Sequence, residues 1–275
     1  AGTNAISLHS DTYIHLDAEL DGRGNFGAGD SDRRVGPPGK LGGFRGGDGA
    51  RTTNVIPAED VVRDGGGPGG ALKDVSGSHH GGNGGGFGAL GGRGQNSDAV
   101  LRLGQMYNDA VLSEGLIGGS GGASGGYRCG GAGGGAIRLV ARGRLSVGNN
   151  GVIDVSGGRG GNESQAGGGG SGGAVWLKGY SIVLSSGATV LANGGHGGNG
   201  DRGGGGGAGG RILLEASLLE VDGLFVTEGL QENDPVIHAA GGPGGIHSSR
   251  PGLAGADGTI YYLYHVPAGT VLLLR

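Results

Sequence analysis

The sequence predicts an all-β fold: a solenoid-like domain, either a β-helix or a layered β-sandwich, in which short apolar strands alternate with packed polyglycine II runs. Three observations predict it. The first is a phrase, a glycine run feeding an apolar strand, that occurs three times. Gly130 to Gly135 leads into Ala136-Ile137-Arg138-Leu139-Val140-Ala141, Gly167 to Gly173 into Ala174-Val175-Trp176-Leu177-Lys178, and Gly203 to Gly210 into Arg211-Ile212-Leu213-Leu214-Glu215-Ala216. The second is spacing: strands beginning at Ala136, Ala174, Arg211 and Thr259 lie 38, 37 and 48 residues apart. That interval is typical of repeat architectures, where each unit buries its apolar face only against its neighbours. The third is the glycine itself, 77 of 275 residues. Each ordered glycine is less favourable than alanine by about 0.5–1 kcal/mol within a regular element, so long runs persist only where a Cβ would be forbidden. A turn uses one or two glycines. Eight small residues in succession, Gly203 to Gly210, point to backbone packed on backbone as extended threefold strands with a rise of about 3.1 Å per residue.

The elements follow in chain order within one glycine-rich β domain spanning residues 1–275. Residues 1–29 form a first strand unit: Ala5-Ile6-Ser7-Leu8 matches Ala136-Ile137-Arg138-Leu139, and Tyr13 to Asp21 alternates apolar and polar residues before Gly22-Arg23-Gly24. Residues 30–128 are a long excursion rich in Gly and Pro. Only 54–62 and 98–114 carry a pattern that can be regular, the latter as one short helix or two strands. An unstructured loop of that length inside a compact domain calls for a function. Residues 129–258 hold the repeats, each read as glycine run, first strand, polar turn, second strand and glycine. The second strands are placed at Gly151 to Val155, Ala188 to Ala192 and Leu224 to Thr227. Residues 259–275 supply terminal strands, Thr259 to Tyr264 and Thr270 to Arg275.

Composition narrows the function classes. Collagen is excluded, because there is no Gly-X-Y register and there are only 8 prolines. A net charge of −4 with interspersed Arg and Asp gives no nucleic-acid footprint. No stretch approaches the roughly 18 apolar residues of a membrane span. The absence of a basic, hydrophobic leader before Ala1 is read as a mature form from which a secretion signal has been removed. The single cysteine, Cys129, is expected to be a small buried residue.

Glycine abundance produces motif matches by chance. G-x-S-x-G occurs around Ser120, Ser124 and Ser171, none of them on a strand-to-helix elbow. Gly36-Pro37-Pro38-Gly39-Lys40 lacks phosphate-loop spacing. His79-His80, with Cys129, His196, His238 or His247, has no zinc-ligand spacing, and no metal or cofactor is expected. Asp17, Asp154 and Glu215 are the carboxylates a carbohydrate-cleaving β-helix would need to face one another, although a solvated strand face explains each of them. Asn162-Glu163-Ser164 has the form of a glycosylation sequon. The chain is therefore read as non-enzymatic.

The phrases Gly133 to Ala141, Ile153-Asp154-Val155-Ser156-Gly157-Gly158 and Gly170 to Leu177, with the loop Ser78 to Gly85, resemble glycine-rich repeat segments of bacterial cell-surface and secreted proteins. The glycine runs are also similar to polyglycine II bundles of a springtail antifreeze protein and of phage tail-tip adhesins, without the strict three-residue glycine period of the antifreeze type. The resemblance implies an extracellular or cell-surface role. The leading expectation is a secreted structural subunit assembling head to tail into a fibre or matrix of copies of itself. The contact residues are expected to be Ala5, Ile6 and Leu8 at one end and Val271, Leu272, Leu273 and Leu274 at the other, because both end units are incomplete and apolar. The alternative is an adhesin that binds glycans or a cell surface through residues 30–128; a β-helix enzyme and an ice-binding protein rank lower.

Overall fold

The structure, a computed structural model, describes residues 4–27, 35–49, 62–73, 80–95, 102–126, 128–226, 236–247 and 249–265. Each repeat contributes three strands where the sequence suggested two. The first has β4 (Ala136–Ala141), β5 (Arg144–Val147) and β6 (Val152–Asp154). The second has β7 (Ala174–Lys178), β8 (Ser181–Leu184) and β9 (Thr189–Leu191). The third has β10 (Arg211–Ala216), β11 (Leu218–Val221), an added β12 (Leu224–Phe225) and β13 (Ile237–His238). The N-terminal unit supplies β1 (Ile6–Ser10), β2 (Ile14–Leu16) and β3 (Glu19–Asp21), and β14 (Thr259–Tyr264) follows the last repeat.

Like strands pair with like in parallel although the units differ in length, first strands beginning 130, 38, 37 and 48 residues apart, because each detour through glycine returns the chain beside its predecessor. One sheet has the order β1-β4-β7-β10-β14, the second β12-β11-β8-β5-β2 and the third β13-β9-β6-β3. The register stacks apolar residues in rows: Ile6, Ile137, Val175, Ile212 and Ile260 in the first sheet, Leu145, Ile182 and Leu219 in the second, Ile153, Val190 and Ile237 in the third. Buried side chains from all three sheets meet in one core, and each fully buried Val, Leu or Ile contributes about 1.5–3 kcal/mol. The exception to parallel pairing is β12, which turns back on β11 through Asp222-Gly223, both at positive φ (50° and 75°). Asp-Gly suits such a two-residue turn because glycine and aspartate tolerate left-handed backbone.

This arrangement corrects the predicted fold class. The described residues form three open, mostly parallel sheets, a pairing familiar from α/β proteins, although no α-helix occurs among them. No sheet closes on itself. The all-β solenoid, as β-helix or layered sandwich, is not formed, and a glycine-rich solenoid fibre finds no support in it. The physical reason lies between the units. After its third strand the chain does not continue around a coil; it leaves the sheets, runs out through glycine, turns and returns. Sequence periodicity reports that strands recur and does not report this detour. Residues 102–114 form turns, with Asn108 Nδ2 bonded to the Gly115 carbonyl at 3.0 Å, rather than helix or strand. Residues 54–61 and 98–101 lie outside the described residues.

The glycine legs pack on one another in a layer of their own. Along residues 203–210 the amides point in three directions in strict rotation. Gly203, Gly206 and Gly209 donate to the carbonyls of Arg250, Leu253 and Ala256; Gly204, Gly207 and Gly210 to Gly198, Gly195 and Ala192; Gly205 and Ala208 to Gly82 and Gly85. The carbonyls accept in the same rotation: Gly204 and Gly207 from Gly245 and Gly242, Gly205 and Ala208 from Gly169 and Gly172, Gly203 and Gly206 from Gln95 and Gly92. A run with three residues per turn and no internal hydrogen bonds thus satisfies every backbone group through surrounding segments, as buried polar groups require. The described parts of residues 30–128 belong to the same layer. Gly47, Gly82, Gly85 and Gly122 donate to Gly122, Ala166, Gly169 and Gly131, so the excursion enlarges the first glycine turn.

Spacing in this layer leaves no room for a side chain. A Cβ on Gly205 would lie 2.1 Å from the Gly92 carbonyl oxygen, and one on Gly207 would lie 1.9 Å from that of Gly170. By contrast, a Cβ on Gly179 meets nothing closer than 3.0 Å. Overpacking a core typically costs about 1–3 kcal/mol, and in this layer the obstacle is rigid backbone. Gly205→Ala is therefore expected to lower stability by about 3 kcal/mol or more, and Gly179→Ala by less than 1, in urea denaturation. Equal midpoints for the two variants would refute the packing argument.

Candidate functional site

Three places concentrate polar or exposed apolar groups. The first is the outer face of the five-stranded first sheet. Its early part is covered by the excursion: Phe87, Tyr107, Leu112 and Leu116 pack on Ala136, Ala174 and Leu213. The Phe87 and Tyr107 rings lie 4.7 Å apart. Arg211, 3% exposed, secures this cover by donating to the carbonyls of Tyr107 and Asn108 at 3.1 and 2.9 Å and to Thr259 Oγ1 at 3.1 Å. Burial lowers its pKa, opposed by the charge of Asp109.

Further along the same face, Glu215 sits 5% exposed on β10. It accepts from Lys178 Nζ at 2.6 Å, Trp176 Nε1 at 3.0 Å and contacts His265 Nε2 at 2.7 Å, while Arg138 stacks over the Trp176 ring at 3.9 Å. The parallel register places Lys178 directly beside Glu215. His265 follows β14, and its amide also bonds the Ala216 carbonyl. Burial pushes the Glu215 carboxyl up, but the hydrogen bonds from Lys178, His265 and Trp176 and the charge of Lys178 outweigh it and hold the carboxyl below its ordinary value. This cluster fastens β14 to β10.

The second place is the end of the stack formed by β1, β2 and β3, each of which pairs on one side only among the described residues. Leu8 occupies the row of Leu139, Leu177 and Leu214, all core residues, yet is 49% exposed, and Ile6, Ile14, Leu16 and Leu20 are half-buried. Of the predicted assembly residues, Ala5, Ile6 and Leu8 lie here, and Val271, Leu272, Leu273 and Leu274 lie outside the described residues. The third place is an open groove of about 340 Å³ in the surface of the glycine layer, between residues 90–93 and 253–256, lined also by Leu103. Sequence reasoning missed it.

The remaining candidates are not brought together. Asp17 lies beyond β2 and accepts from the Asn150 amide and side chain; Asp154 is in the third sheet and accepts from the Ser156 amide; Glu215 is in the first. Ser120 and Ser171 are fully buried and bonded to each other, the Ser120 amide reaching Ser171 Oγ at 2.8 Å. Ser124 is buried in the same layer. Cys129 is buried, and desolvation pushes its thiol up to about 11. Among the described residues no three His, Cys, Asp or Glu side chains form a metal-sized group; His79 lies outside them, and His80, His196, His238 and His247 are dispersed. Asn162 is exposed at a turn, where its Oδ1 accepts from the Asn199 amide. No described helix is long and apolar enough to cross a membrane. Comparison with known protein families, with characterised proteins and with solved structures gives no significant match, so function is read from the chain's own residues.

The Glu215 cluster makes a pH prediction. A carboxyl whose folded pKa is depressed adds stability that is complete above its unfolded value, about 4.5, and is lost as pH falls through the lower folded value. The melting temperature should therefore fall as the pH drops below about 4.5, and Glu215→Gln should flatten that fall. At pH 7 the same variant is expected to lose about 1–3 kcal/mol, the usual scale for hydrogen bonds to a charged group. Parallel pH profiles for the two proteins would remove Glu215 from this role.

Proposed function

We propose that this chain is a secreted, non-enzymatic structural subunit that associates end to end with copies of itself. The observation that carries the reading is the exposed end of the stack: a core-row leucine, Leu8, half open to solvent beside the outer edges of β1, β2 and β3. Unpaired strand edges with apolar flanks are templates for pairing with another chain. At the opposite end of the first sheet, β14 pairs with β10 alone among the described residues and shows Tyr261 and Tyr264 at its surface. Joining β1 of one copy to β14 of the next would continue the parallel ladder in its own register, a heterologous contact that propagates. The chemistry within the fold supports a mechanical role. The carboxylates of Asp17, Asp154 and Glu215 and the hydroxyls of Ser120 and Ser171 are engaged in holding backbone and strands, and the glycine layer exchanges side-chain diversity for close backbone packing. The extracellular assignment rests on the likeness of the repeat phrases to bacterial surface proteins.

The test is mass against concentration. Sedimentation or light scattering of the full chain is expected to show growth with concentration, and Leu8→Lys, which places a charge at the exposed edge without entering the core, is expected to abolish it while leaving the melting temperature within about 1 °C. A chain that stays monomeric at every concentration, or a Leu8→Lys protein that assembles as well as the parent, sinks the reading.

A further inference from the structure

The groove in the glycine layer has walls built from two runs that keep the three-residue rotation of the interior but leave one of its directions empty. In one wall, Gly92 and Gln95 donate to Gly206 and Gly203, and Gly91 and Gly94 donate to the Gly104 carbonyl and Asn83 Oδ1. The amides of Leu90 and Arg93 have no partner among the described residues. In the other wall, Leu253 and Ala256 donate to Arg93 and Leu90, and Gly252, Gly255 and Gly258 donate to Gly245, Gly242 and Ala239. The carbonyls of Pro251, Ala254 and Asp257, next in the rotation to the amides that reach Arg93 and Leu90, have no donor among the described residues. An interior run such as 203–210 uses all three donor directions; each wall uses two.

We propose that this groove binds an extended, glycine-rich segment of a partner protein, in threefold conformation with glycine at every third position, laid against the walls as one further run of the layer. The vacant amides of one wall, Leu90 and Arg93, and the vacant carbonyls of the other, Pro251, Ala254 and Asp257, recur every three residues, and a chain with three residues per turn is the one whose own groups recur at that interval. A β-strand, with a period of two, meets them out of step. The demand for glycine at every third position is visible in the outermost run of the layer itself. There Gly252, Gly255 and Gly258 face inward, where a Cβ would lie 2.0 to 2.1 Å from a carbonyl oxygen, and Leu253, Ala254, Ala256 and Asp257 face solvent. Leu90 and Leu253, 43% and 53% exposed, offer apolar contact to the outward side chains of the guest. A second copy is a poor source of such a guest, because described runs with glycine at every third position, such as 82–88 and 252–258, are already bonded into their own layer.

The experiment titrates a fluorescent (Gly-Pro-Ser)4 peptide into the full chain and follows anisotropy. Saturable binding is expected. Arg93→Pro, which removes one vacant amide facing the groove in a run already extended, should weaken it at least tenfold without shifting the melting temperature. Leu253→Ser, which keeps every amide, should also weaken it and guards against a misfolded proline variant. The peptide (Ala-Pro-Ser)4, equally extended but with a Cβ at every third position, should bind at least tenfold more weakly. Absence of saturable binding overturns the proposal, as does binding indifferent to these changes. Self-association of the chain that is lost in Arg93→Pro but retained in Leu8→Lys would assign the groove to a second copy and overturn the partner assignment.

Discussion

Everything in this fold depends on the distance between neighbouring glycine runs. Backbone amides and carbonyls pair in three rotating directions only when the runs approach so closely that a Cβ would overlap a carbonyl oxygen, as at Gly205 and Gly207. That constraint shapes composition: most inner positions are glycine, and the buried exceptions such as Ala132, Ala208, Ser120, Ser171 and Cys129 carry small side chains. It also fixes where other chemistry resides. Side chains with charge or aromatic bulk are expelled to the sheets, the turns and the outer surface of the layer, so Glu215, Arg211 and Trp176 all lie on strands. Burying backbone without burying side chains sacrifices hydrophobic stabilisation, and the apolar rows shared by the three sheets supply it.

The two halves of each unit support each other. A glycine leg alone has almost no apolar surface to remove from water, and a three-residue strand alone is far below the size at which a sheet stands by itself. Stacking solves both problems, since each new unit extends three short ladders and adds two legs to the layer. The excursion of residues 30–128 is absorbed by the same logic. Its described glycines join the layer, and Phe87 and Leu112 close over the first sheet. The Arg211 guanidinium ties cover to sheet, and the Glu215 carboxylate ties the last strand to its neighbour.

Much of this was legible in the sequence, and the illegible parts have physical causes. The repeated phrase located β4, β7 and β10, since a six-residue apolar run after glycine is a strong local signal. It missed β5, β8 and β11 because each shows only two inward apolar residues, such as Leu145 and Val147 or Ile182 and Leu184, in four-residue strands set among polar neighbours. It placed a solenoid where three open sheets occur because period says nothing about the path between units. The layer's geometry did leave a trace that was not used: outer runs carry glycine at every third position, as in Gly252, Gly255 and Gly258, and inner runs carry it at nearly every position. The groove left no trace, because its content is a missing hydrogen-bond direction and not a residue type.

The turn at Asp222-Gly223 gives the molecule unlike ends. At one end, β1, β2 and β3 all present edges of the same polarity; at the other, β12 lies reversed along β11 and occupies the edge that a following copy would need. A joint between copies therefore cannot carry all three ladders that hold each unit to the next inside the chain. Any assembly built this way has its weakest planes at the joints, so under load it separates into intact subunits before any subunit unravels.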